Sequence, residues 1–231
     1  MWRSSTFPVR VRLLALIVTA SLGACADHSV VRQGARAPQA PRPAARVLPN
    51  SQAYQMCAAN LQAAQVQFQP LPNIDRGGGC TTIDTIKLLD IGTPTANLGP
   101  MKCQLAEKFA AWVRFAVRPA ARLYLGSEVV RIETFGTYAC RDVRGTGGTI
   151  AGKRSEHAHA NAVDISAFVL ADGRRISLLN DWYAGGQNAQ FLRTLHQSAC
   201  KRFLTVLGPD YNAAHKDHFH LDLGGTRSFC R

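Results

Sequence analysis

Five of the seven histidines of this chain fall in two short blocks. His157 and His159 lie in Ser-Glu-His-Ala-His-Ala-Asn-Ala-Val-Asp, which ends at Asp164; His215, His218 and His220 lie in His-Lys-Asp-His-Phe-His-Leu-Asp, which ends at Asp222. An imidazole is both the commonest metal ligand and the side chain that titrates near neutral pH, so clustering of this kind points to metal binding or acid–base chemistry. Strand alternation puts His218, His220 and Asp222 on one face and Phe219, Leu221 and Leu223 on the other. The apolar face suits a core, which leaves the polar face to line a site. In the first block Asp164 begins a strand with Val163, Ile165 and Phe168 as core candidates, and His157 comes from the loop leading into it. Two histidines and one carboxylate from neighbouring strands make a three-ligand site with the fourth position open to water, the pattern of catalytic zinc. His159 and His196 read as structural or surface residues.

Such a site needs a scaffold, and the periodicity supplies one. Residues 54–68 read as a helix and 82–91 as a strand. Residues 101–115 carry apolar side chains at helical spacing (Leu105, Phe109, Ala110, Trp112, Val113), and a short helix over 119–125 follows. Residues 129–135 are rich in strand formers. Residues 162–170 and 175–179 flank Asp172-Gly173, which predicts a hairpin. A second strong helix is expected over 188–207, stopped by Gly208-Pro209, and a strand over 218–223 closes the chain. The mixture predicts an α+β domain, a small and largely antiparallel sheet flanked by helices.

Composition bounds the rest. The chain has 231 residues, 46% of them hydrophobic, enough for one ordinary domain. The net charge is +12, but seven of the 27 basic residues and a single acid lie in residues 1–50. The remainder is only moderately basic and has no helix-turn-helix or RNP-like run, so no nucleic-acid partner is expected. Arg3, Arg10 and Arg12 precede an apolar run at 13–22 that is too short for a permanent membrane span, as in a secretory signal. Leu22-Gly23-Ala24-Cys25 resembles the lipobox of bacterial lipoproteins, in which the cysteine is lipidated and anchors the chain to a membrane; Ala26 in the following position favours the outer membrane. The expected organisation is a signal peptide at 1–24, an Ala/Arg/Pro-rich tether at 25–50, and a folded domain at 51–231. As polyproline II the tether would reach on the order of 70 Å. Setting Cys25 aside leaves Cys57, Cys80, Cys103, Cys140, Cys200 and Cys230, an even number with no CxxC pair, suited to three disulfides in an oxidising periplasm. The pairing stays open, with Cys200–Cys230, last helix to last strand, as one candidate.

Ser155-x-His157-x6-Asp164 and Asp217-His218-x-His220 resemble the metal-site signature of the zinc peptidases that include D-Ala-D-Ala carboxypeptidases and penicillin-insensitive murein endopeptidases. From about Cys57 to Cys230, with Tyr138-Ala139-Cys140-Arg141 ahead of the first block, the chain resembles the bacterial extensin-like C-terminal domain. The resemblance implies a zinc peptidase-like, disulfide-stabilised fold with His157, Asp164 and His220 as zinc ligands. It also places Asp217 in the position of the general base, where many such enzymes have Glu, and His215 and His218 beside the ligands. Ala160 stands where the pattern usually has Gly. His218, His215 or Arg141 would stabilise the oxyanion of a tetrahedral intermediate. The function so implied is a zinc metallopeptidase cleaving peptidoglycan stem peptides or cross-links from a periplasmic, outer-membrane lipoprotein. A secreted hydrolase of other proteins would use the same site, and a non-catalytic wall-binding lipoprotein would keep the metal as a structural element.

Overall fold

The helix Cys103–Trp112 continues through a π-helical stretch Val113–Val117, the turn Arg118–Ala120 and a second π-helical stretch Ala121–Leu125. Leu105, Phe109, Trp112, Val113 and Val117 recur at helical spacing with no exposed surface, and this stripe forms one side of the core. The sequence suggests two helices here; the structure has one uninterrupted rod. Pro119 lacks the N–H that an α-helix would hand to the preceding turn, and the wider turns on either side carry the chain past it. Gly126, left-handed at φ 62°, ends the rod.

This computed structural model describes residues 47–231, so the expected signal segment, Cys25 and the tether through residue 46 lie outside the described residues. The architecture is α+β. Its main sheet has seven strands, in the order Phe229–Cys230, Thr205–Leu207, Phe219–Asp222, Ala162–Leu170, Val129–Gly136 and Thr95–Ala96, with Arg175–Ser177 also paired to Ala162–Leu170. Pairing is antiparallel except at the two edges, where Thr205–Leu207 meets Phe229–Cys230 and Val129–Gly136 meets Thr95–Ala96 in parallel. A smaller three-stranded sheet holds Gln67–Pro70, Thr85–Asp90 and Met101–Lys102.

The Ala162–Leu170 strand is buried along almost its whole length, as a central strand covered on both faces must be. The hairpin after it forms as expected: Leu170 donates to the Arg174 carbonyl, Gly173 takes φ 87°, and Phe168 pairs with Ile176. Its second strand is shorter than expected, because the Ser177 side chain caps a helical turn at Leu178–Asp181.

Two helices also end earlier than their patterns suggest. The first, Gln52–Ala63, is capped by Ser51, whose hydroxyl accepts from Tyr54 N, and it buries Tyr54, Cys57 and Leu61. Gln65 is left-handed at φ 59° and turns the chain into the Gln67–Pro70 strand. The last helix, Gly186–Cys200, stops seven residues short of 207, since Thr205–Leu207 is taken up as a strand between two neighbours. Its Phe191, Leu192 and Leu195 have no exposed surface, and Phe191 packs edge-on against Phe168 of the central strand at 5.3 Å between ring centres.

Three disulfides close the six cysteines: Cys57–Cys103 joins the first helix to the rod, Cys80–Cys140 ties two loops, and Cys200–Cys230 links the last helix to the last strand. Packing starts before Ser51. Pro49 is buried and the Val47 carbonyl accepts from Asn73 N, so the last residues assigned to the tether lie against the domain.

Candidate metal centre

Sheet register builds the centre. In the antiparallel pair of Ala162–Leu170 with Phe219–Asp222, Asp164 stands directly opposite His220 and Ala162 opposite Asp222. Directly opposed side chains share a face, so the register alone brings a carboxylate against an imidazole. Phe219 and Leu221, on the other face, have no exposed surface and anchor the strand in the core.

His157 comes from the 3₁₀ turn Glu156–His159, capped by Ser155, whose hydroxyl accepts from His157 N. Ala160 ends that turn in the left-handed region at φ 52°, fully buried, and returns the chain into the central strand. An L-residue there costs about 1–2 kcal/mol, which is the physical reason a Gly suits the position.

The three side chains converge. His157 Nε2 lies 3.1 Å from Asp164 Oδ2, His220 Nδ1 lies 2.8 Å from Asp164 Oδ1, and the two ring nitrogens are 3.2 Å apart. All three residues are buried. The far nitrogen of each ring has its own acceptor: His157 Nδ1 is 3.2 Å from the Thr137 carbonyl, and His220 Nε2 is 2.8 Å from Asp222 Oδ2. Those acceptors fix the tautomers, with protons on His157 Nδ1 and His220 Nε2. The facing nitrogens then both present lone pairs toward a carboxylate, and such an arrangement requires a cation between them, either a proton or a metal. Ligands about 2.0–2.1 Å from a tetrahedral zinc lie about 3.3 Å from one another, close to the separations found here. The residues present therefore fit a metal ion, with their candidate ligand atoms within 4.8 Å of one another.

The electrostatics describe the same need. Burial pushes the Asp164 carboxyl up, but the hydrogen bonds and charges of His157 and His220 overcome it and hold the group well below the ordinary carboxylate range. Burial pushes the His220 imidazole down, yet Asp164 and Asp222 more than reverse this, and its pKa is raised to about 9. Without metal, the proton resides there.

A cleft of about 600 Å³ opens over these three side chains. Asp217, His215, His218 and Arg141 all line it. Asp217 Oδ1 accepts from His218 Nδ1 at 2.9 Å, and the other ring nitrogen, Nε2, lies 3.7 Å from Asp164 Oδ1. Asp217 thus orients His218 with its Nε2 toward the Asp164 carboxylate. His215 donates from Nδ1 to Asn212 Oδ1 at 2.7 Å, so its Nε2 is an acceptor. Burial, and then the charges of His218 and His220, lower its pKa to about 4, and it is neutral at pH 7. Arg141 is half-buried, and among the described residues its side chain makes one hydrogen bond, from Nη1 to the Asp142 carbonyl at 3.3 Å. Burial lowers its pKa; the Asp164 charge raises it, and the Arg144 charge lowers it further.

A family model, extensin-like protein C-terminus, matches residues 55–231. The chain belongs to the extensin-like C-terminal family. Comparison with curated proteins and with solved structures gives no match. Nearly the whole described region is thus one extensin-like domain, and the candidate centre lies inside it. His159 and His196 stand apart from the centre in this domain: His159 Nδ1 faces Thr81 Oγ1 at 3.4 Å, and His196 Nε2 faces the Arg231 carbonyl at 3.1 Å. His196 lies beside Cys200 and Cys230, but those sulfurs are joined to each other and offer no thiolate. Of the two acceptors behind the rings, Asp222 is one the sequence places on the site-lining strand face with His220. The Thr137 carbonyl carries no sequence signal, because a backbone acceptor has no side-chain signature.

Proposed function

We propose that this extensin-like domain is a zinc-dependent peptidase acting on peptidoglycan stem peptides or cross-links in the cell envelope. The observation that carries the reading is the buried convergence of His157 Nε2, His220 Nδ1 and the Asp164 carboxylate beneath an open cleft, with each far ring nitrogen already occupied. A purely structural zinc site takes four protein ligands and is closed; three ligands beneath a cleft leave a place for substrate. When bound, the ion supplies Lewis acidity, which brings the pKa of a water toward about 7 and polarises a carbonyl.

The chain's own residues account for the remaining steps. Asp217 holds His218 by its Nδ1–H, which leaves Nε2 as a proton acceptor over the centre. The pair takes a proton from the attacking water and delivers it to the departing amine. Arg141, with most of its guanidinium donors unused, is the donor for the oxyanion. His215, neutral and donating to Asn212, supports the His218 and His220 rings at 5.2 and 5.9 Å between ring centres. The resemblance of the two His/Asp motifs to zinc D-Ala-D-Ala carboxypeptidases and murein endopeptidases supports the reaction class. The lipobox-like Cys25 and the long tether support a periplasmic domain anchored at the outer membrane and facing the wall.

The test is incubation of zinc-loaded protein with purified muropeptides, with and without chelator, and mass analysis of the products. Cleavage adds one water per bond and stops on chelation. If the protein binds zinc and muropeptides but cleaves none, the domain is the wall-binding module with a structural metal.

A further inference from the structure

One wall of the cleft is made by a hairpin that belongs to neither larger sheet. Among the described residues its strands, Asp142–Gly145 and Gly148–Arg154, pair only with each other. Residues 141–154 carry four cations, Arg141, Arg144, Lys153 and Arg154, and a single acid, Asp142. All four cations line the cleft. Asp142 is already committed: its Oδ1 pairs with Arg154 at 2.7 Å and its Oδ2 accepts from Gly152 N at 3.0 Å. Arg154 also donates to the Gly78 carbonyl at 2.6 Å. Among the described residues, Arg141, Arg144 and Lys153 have no carboxylate partner.

The other acids of the cleft are equally occupied. Asp164 and Asp222 serve the histidines, Asp217 holds His218, and Glu156 accepts from Asn161. Arg144 lies close enough to Arg141 for its charge to disfavour the second guanidinium. Two guanidiniums and an ammonium along one wall without counter-charge make that wall electropositive, which favours an anionic group on the ligand. The wall is also fixed in place. Cys80–Cys140 and the Arg154–Gly78 contact pin its base, so the backbone that carries these cations is held beside the cleft.

We infer that Arg144 and Lys153 form a carboxylate-binding subsite next to Arg141 and the metal centre, so that the ligand of this cleft is a peptide carrying a free carboxylate near the bond presented to the centre. The inference rests on the peptidase reading only in taking the ligand to be a peptide. The carboxylate has two sources, a chain terminus or an acidic side chain. Guanidinium and ammonium groups bind both by charge-assisted hydrogen bonds, which weaken with added salt where exposed.

Binding is measured by calorimetry on zinc-loaded protein carrying Asp217→Asn to suppress turnover. The probes are N-acetyl-Ala-Glu-Lys-D-Ala-D-Ala, its C-terminal amide, and the same peptide with Gln for Glu. Replacing the recognised carboxylate by an amide is expected to weaken binding about 10- to 100-fold. The amide that loses affinity identifies the source. In Arg144→Gln/Lys153→Gln, both outside the proposed chemistry, the acid peptide falls to the level of its amide and the amide is unchanged. Equal binding of acid and amide forms, no binding of any form, or a preference that survives the double substitution overturns the subsite. Hydrolysis of the acid peptide is followed separately with Asp217 intact. A carboxylate preference without cleavage keeps the subsite and removes the peptidase; cleavage without the preference does the reverse.

Discussion

Asp222 touches no candidate ligand position of the metal, yet replacing it should weaken zinc binding. Its Oδ2 accepts from His220 Nε2 at 2.8 Å and its Oδ1 accepts from Gly224 N at 2.8 Å, with the residue only 5% exposed. Asp222→Asn conserves volume but has one acceptor where two are needed. If the amide oxygen faces His220, the NH2 group meets the Gly224 N–H. If it faces Gly224, the NH2 group meets His220 Nε2 and drives the ring proton to Nδ1, the nitrogen aimed at the metal. Either outcome removes a charge-assisted hydrogen bond, and loss of such a supporting partner lowers metal affinity about 10- to 100-fold, or about 1.4–2.7 kcal/mol. Competition with a chromophoric chelator at constant pH measures the change directly. The variant should remain folded, because the Phe219–Asp222 strand keeps its ladder and its buried Phe219 and Leu221. A folded Asp222→Asn protein with the parent's zinc affinity would refute both the tautomer assigned to His220 and its role as a ligand through Nδ1.

Other expectations follow from the same geometry. In metal-free protein His220 is raised from 6.5 to about 9. Its contribution to stability is therefore complete below about pH 6.5 and lost as pH rises through 9, so chelated protein should lose thermal stability across that window; a melting temperature rising from pH 7 to 9 would contradict this. Cys80→Ala/Cys140→Ala opens a loop of 60 residues and should cost about 4 kcal/mol by the chain-entropy relation, measured by denaturant unfolding; loss below about 1 kcal/mol would show that the loops are held without the bridge. A chain beginning at Val47 should melt with a chain beginning at Ala26, whereas one beginning at Ser51, lacking the buried Pro49 and the Val47–Asn73 hydrogen bond, should melt several degrees lower. Equal melting of the last two would show that residues 47–50 contribute nothing.

Much of the candidate centre was legible because its information is local. His157 and Asp164 lie seven residues apart around one turn, and His220 and Asp222 share one strand face. The Asp172-Gly173 turn likewise specifies its hairpin from within. What the sequence misplaced were element ends set by distant partners. Residues 201–207 continue an apolar helical pattern, yet Thr205–Leu207 gains more as a strand between Phe219–Asp222 and Phe229–Cys230. Phe68 continues the first helix's pattern, but the strand Thr85–Asp90 claims it. Pro119 reads as a break, and only the buried stripe through Val117 and Ala121 shows why the rod goes on. The hydrogen bond that sets the His157 tautomer, accepted by the Thr137 carbonyl, depends on tertiary approach and leaves no mark in the spacing of residues.

The central claim is that ligands and proton acceptor are separate parts of one hydrolytic site. The most direct measurement is zinc content together with muropeptide cleavage for the parent, His220→Ala and Asp217→Ala. The parent should carry one zinc and cleave; His220→Ala should lose both; Asp217→Ala should keep the zinc and lose about 10²- to 10⁴-fold in rate. A parent that takes up no zinc, or an Asp217→Ala protein that cleaves as fast as the parent, would contradict the account.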